Sequence, residues 1–91
     1  MPNRAYRDIQ LENDSFFRVF EHDCEDEELH WHRDRADRRI EVVHGTGWKF
    51  QYENKNPIEL MEGDVISVNQ MDYHRLIKGD TNLILKIVET V

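Results

Sequence analysis

Along most of this 91-residue chain, apolar residues recur at every second position, a period that suits strands and not helices. The segments Ser15–Phe20, Glu28–His32, Arg38–His44, Trp48–Tyr52, Asp64–Val68, Tyr73–Lys78 and Asn82–Glu89 read as short strands. In the fourth of these, alternation puts Trp48, Phe50 and Tyr52 on one face, where they read as core. Turn chemistry separates the segments: Gly45-Thr46-Gly47, Asn54 to Pro57, Glu62-Gly63-Asp64 and Gly79-Asp80. Only Asp34 to Arg39 could open a helical turn, and a short one. Strands spaced about 8–12 residues apart predict an all-β sandwich or barrel, and a jelly roll manages its strand edges by pairing two sheets.

A chain of this length buries roughly 60–70% of the surface that its unfolded form exposes, enough for one core. We therefore expect a single domain over residues 1–91. Nineteen acidic residues against twelve Lys and Arg give a net charge of −7. That balance argues against nucleic acid or an anionic membrane surface as the main partner. Part of the acidity sits in the run His22 to Glu28, which reads as a solvated loop. Cys24 is the only cysteine, so no intramolecular disulfide forms, as suits a reducing cytosol. No stretch approaches the roughly 20 apolar residues of a membrane span, and the first residues lack an apolar leader. The expected location is cytoplasmic.

The chemistry-bearing feature is a histidine pair. His30 and His32 stand two apart on a predicted strand, hence on one face, about 7 Å apart at the backbone. Two imidazoles at that spacing can close onto one metal ion.

The surrounding residues give the pair a context. His30-Trp31-His32, followed by Ile40 to His44 and then Gly45-Thr46-Gly47-Trp48, resembles the first motif of the cupin superfamily, over about residues 24–47. That motif has a His-x-His pair, a carboxylate shortly afterwards and a glycine turn. The second motif, a glycine followed eleven residues later by a histidine, is matched by Gly63 and His74 over about residues 63–78. The resemblance covers nearly the whole chain and resembles most the small single-domain cupins. It implies a double-stranded β-helix, a jelly-roll barrel, with His30, His32 and His74 as ligands of a divalent transition metal. With such ligands Fe, Mn, Ni, Cu and Zn are all chemically reasonable.

This chain departs from the motif at the fourth ligand. Seven residues before Gly45, where the family usually has Glu, stands Arg38. Counting from His32 lands instead on Asp37, a candidate fourth ligand, which would need a bulge to turn inward because Arg38 shares the face of Ile40 and Val42. Arg38 has two readings: an anchor for an anionic substrate beside the metal, or a side chain at the barrel mouth reaching into water. Asn69 and Met71 replace the usual Pro and Gly of the second motif.

Two functions follow from the resemblance. One is a metal-dependent enzyme acting on a small, anionic molecule, an oxygenase, isomerase or lyase; the other is a non-catalytic module that binds or senses a small molecule. Fold does not choose between them. Small cupins commonly pair, so a homodimer is expected, with Leu29, Trp31 and Val43 as its outward surface. His22 and His44 read as exposed, and Cys24 as packed and inert.

Overall fold

A computed structural model describes residues 6–24 and 29–90 of the chain. Among these residues it has eight strands and no helix: β1 (Tyr6–Glu12), β2 (Ser15–Phe20), β3 (Asp37–His44), β4 (Lys49–Tyr52), β5 (Ile58–Glu59), β6 (Val65–Val68), β7 (His74–Ile77) and β8 (Leu83–Thr90). The strands form two antiparallel sheets, ordered β1-β2-β8-β3-β6 and β5-β4-β7. The fold is an all-β jelly roll, as the alternation predicts.

Period-2 patterning builds the interior directly. On β8, Leu83, Leu85 and Ile87 are buried while Ile84, Lys86 and Val88 are only half covered. Strand register lines up inward residues across the five-stranded sheet: Phe16 opposite Ile87, and Ile87 opposite Ile40. Trp48, Phe20, Phe50, Leu60 and Val42 fill the space between the sheets. Each such side chain contributes about 1.5–3 kcal/mol of transfer free energy. Trp48 also donates its indole N–H to the Thr81 carbonyl at 2.7 Å, so its one polar atom is satisfied inside the core.

Three local expectations change. The charged stretch before β3 makes bends, not a helical turn. Tyr6–Glu12 is an edge strand that its mostly exposed side chains do not announce. The expected strand at Glu28–His32 does not form: Glu28 lies outside the described residues, Leu29 to Trp31 make a single turn and bends, and His32 makes one isolated bridge, to His74. That bridge has two backbone bonds, His32 N–H to His74 O at 3.0 Å and His74 N–H to His32 O at 2.9 Å. It ties the segment before β3 to the start of β7.

Candidate metal centre

Three ligand-bearing side chains meet where that bridge closes the barrel mouth. His32, Asp34 and His74 bring one ligand atom each to within 4.8 Å of the others. The two imidazole centroids are 4.3 Å apart, and His74 stacks on Phe50 at 5.5 Å, which holds its ring against the core. His74 is 3% exposed, and the side chain of Asp34 13%.

Hydrogen bonding fixes the chemistry of both rings. His32 Nδ1 lies 2.8 Å from the carbonyl of His30, and His74 Nδ1 lies 2.8 Å from the carbonyl of Asp72. A carbonyl only accepts, so each Nδ1 carries a proton, and each Nε2 is the atom left to take either a metal ion or a second proton. His74 Nε2 is 3.1 Å from Asp34 Oδ2. A lone pair facing a carboxylate oxygen at that distance requires a cation or a proton between them. Metal-ligating histidines characteristically donate their other N–H to a carbonyl in this way. Two imidazoles and one carboxylate form a donor set with open coordination positions, suited to divalent transition metals. The residues present fit such an ion.

Arg38 points inward. On β3 Ile40 and Val42 are buried, and Arg38, in step with them, is half-buried with its side chain 13% exposed. Its Nη1 is 3.4 Å from Asp34 Oδ2, and its Nε donates to Glu89 Oε2 at 3.0 Å. The register explains the second contact, since Arg38 pairs with Glu89 of β8. Burial favours the neutral acid of Asp34, but the hydrogen bond to His74 and the positive charges of Arg38, His74 and His32 together hold its pKa below the ordinary value. Inside the barrel, below His74 and Arg38, lies an apolar cavity of about 20 Å³ walled by Phe50, Ile40 and Leu85. That volume admits roughly one water molecule, so an organic ligand would have to approach the cluster from the mouth.

The structure therefore brings His32 and His74 together and places Asp34, not His30, beside them. His30 is exposed and contributes its carbonyl, not its ring, to the arrangement. The strand parity that would have aligned the two histidines is absent, because the chain bends there. Asp37 is not inward either: the only irregularity of β3 against β8 falls between Val42 and His44, so nothing rotates Asp37 toward the cluster. Its Oδ1 instead accepts the Gln70 N–H at 2.7 Å. Asp34 carried no periodic signal in the sequence. It lies two residues after His32 and four before Arg38, in the irregular stretch that precedes β3, where strand parity gives no direction.

The remaining expectations concern the surroundings. Trp48 and Phe50 are core, Cys24 is buried, and His22 and His44 are exposed. Leu29 packs against the core, Trp31 lies under the Arg75 guanidinium at 4.8 Å, and Val43 is on the other sheet, so these three do not form one surface. The acidic run is only partly described, because residues 25–28 lie outside the described residues.

Solved structures share this architecture throughout. A cupin-2 domain containing protein from Shewanella frigidimarina superposes with a TM-score of 0.69 at 21% identity, covering 93% of this chain and 79% of that one. A cupin domain from Bordetella pertussis gives 0.68 at 16% identity, covering 100% and 99%. The DMSP lyase DddQ from Ruegeria pomeroyi gives 0.65 at 14% identity, covering 88% of this chain but only 40% of that one. No protein-family model and no curated protein matches the sequence. The chain has the cupin fold, a double-stranded β-helix, with a His/Asp/His cluster at its mouth.

Proposed function

We propose that this protein binds a divalent transition metal through His32, Asp34 and His74 and uses it to hold a small anionic molecule. The observation that carries the reading is the orientation of the rings: both Nδ1–H groups are spent on carbonyls, so two Nε2 atoms and a carboxylate converge. A bound ion would act as a Lewis acid, polarising an oxygen of its ligand. The donor set favours Fe(II), and Mn, Ni, Cu and Zn remain compatible. The ligand class follows from charge. Asp34, Glu89 and Arg38 together carry one negative charge, and a divalent ion turns the site positive by one. An anionic ligand restores neutrality, with Arg38 as its second cationic contact.

Among similar structures is one named a lyase, which supports turnover of a small molecule. A second reading, a binding or sensing module without turnover, is favoured by Arg38 standing inward where the cupin motif usually has a carboxylate ligand. Elemental analysis tests the metal: we expect close to one equivalent in the wild type and little in His32→Ala/His74→Ala. Equal content in both sinks the proposal. A panel of small carboxylates and phosphate, with Arg38→Met as control, then separates binding from product formation.

For the homodimer, the outer face of the five-stranded sheet supports pairing better than the surface read from sequence. Across it run Ile9, Phe17, Lys86, Glu41 and Val65 in register, flanked by Val19, Ile84, Val88, Val43 and Leu11. Ile9, Leu11, Val43 and Val65 are 40–50% exposed. Five strands of four to eight residues span roughly 24 Å across the sheet and up to about 26 Å along it, a face on the scale of a standard interface. A second copy turned by a two-fold axis also sets Lys86 against Glu41. Sedimentation should give a dimer mass for the wild type and a monomer mass for Ile9→Lys/Val43→Lys; a monomeric wild type at micromolar concentration removes this part of the proposal.

A further inference from the structure

The loop from Asn69 to Tyr73, between β6 and β7, reaches the metal centre from behind. Its Asp72 carbonyl holds the His74 ring by Nδ1 at 2.8 Å. Two hydrogen bonds tie the loop to the segment that carries Asp34. Met71 N–H donates to the Asp34 carbonyl at 2.6 Å, and Gln70 N–H donates to Asp37 Oδ1 at 2.7 Å. Met71 sits at φ +66°, a left-handed conformation costing a non-glycine residue about 1–2 kcal/mol. A residue held there needs its surroundings to hold it. The Asp37 carboxylate makes the side-chain hydrogen bond that does so; the Met71 contact is backbone to backbone, and the Arg33 guanidinium lies over the Tyr73 ring at 5.3 Å.

We propose that Asp37 is a positioning residue of the metal centre, clamping the Asn69–Tyr73 loop onto the Asp34 segment so that His74 and Asp34 keep their mutual geometry. The inference rests on the metal reading above. It also explains why a carboxylate stands at a position facing away from the ligands. Asp37 begins β3 and is fixed there by pairing with Thr90 of β8, so its side chain lies at the end of the strand, where the loop leaves β6 after Val68. One side-chain hydrogen bond thus adds to the His32–His74 bridge, the Met71 amide and the Arg33–Tyr73 stacking in coupling two ligand-bearing segments. An acceptor oxygen is all that the clamp requires, and the charge of Asp37 is incidental to it.

Cobalt(II) titration of purified wild type, Asp37→Asn and Asp37→Ala decides this, with the visible d–d spectrum as readout of ligand geometry. Asn keeps an oxygen acceptor for the Gln70 amide, so its affinity and spectrum should match wild type. Ala should bind cobalt about 10–100-fold more weakly, the usual cost of losing an outer contact to a metal site, with an altered band. Amide exchange of Gln70 and Met71 in metal-free protein should quicken in Ala and not in Asn. An Ala variant with wild-type affinity and spectrum overturns the inference and leaves the metal reading standing. Loss in Asn equal to that in Ala also overturns it, showing that charge or direct ligation is what matters. Should the wild type take up no cobalt, the metal reading itself fails, and the exchange rates alone judge the clamp.

Discussion

The same strands build two different interiors. Toward one end of the barrel, β8 and β3 offer Leu83, Leu85 and Val42 to a core completed by Trp48 and Phe20, all 3% exposed or less. Toward the other end the same inward positions become Arg38 and Glu89, facing Asp34 and His74. Between the two stand Ile40, Ile87 and Phe50, the last packed against the core and stacked on His74. The apolar end gains free energy from every methylene that it removes from water. At the charged end, desolvation of the ions roughly cancels their attraction, so it contributes specificity and chemistry more than stability. One end holds the fold together and the other is free to be a site.

Truncation should expose this division, most severely at the apolar end. Phe20→Ala leaves a cavity between Trp48 and Tyr6, whose rings lie 5.9 and 5.6 Å from that of Phe20. It should cost about 3–5 kcal/mol in a chemical denaturation curve, a large part of what a small domain has. Arg38→Ala should cost less, about 2 kcal/mol, because Glu89 remains a third exposed and can find water. A divalent ion at saturating concentration should recover most of that loss by supplying the missing positive charge beside Asp34. If Arg38→Ala proves as damaging as Phe20→Ala, or metal fails to restore it, the two ends are not as different as their composition suggests. The smallest effect is expected at Met71→Gly. Relief of the left-handed backbone, offset by the entropy of a glycine, should raise stability by less than about 1 kcal/mol, visible as a small rise in Tm with unchanged metal affinity.

How much of this was written in the residues differs between the ends. Alternation on β3 and β8 reports directly which side chains face inward, since each runs for eight residues with one face mostly apolar. The inward direction of Arg38 follows from its parity with Ile40 and Val42, although a sequence alone leaves open whether so long a side chain folds back or extends into water. The pairing with Glu89 removes that freedom, and it joins positions 51 residues apart. The His-x-His spacing misled for a local reason. Parity arguments hold only inside a strand, and the chain around His30 bends, held by a single bridge to His74.

By itself, then, the sequence determined a jelly roll with His32 and His74 at its mouth and a single cation, Arg38, on the inward face of β3. Period-2 burial and the spacing of glycine turns are local properties, and local properties survive being read one residue after another. Only the tertiary structure decided that Asp34 completes the cluster, that His30 lends a carbonyl and not a ring, and that Asp37 braces a loop. Those assignments depend on which distant backbone lies within about 3 Å of a given atom, and that is set when the two sheets close on each other.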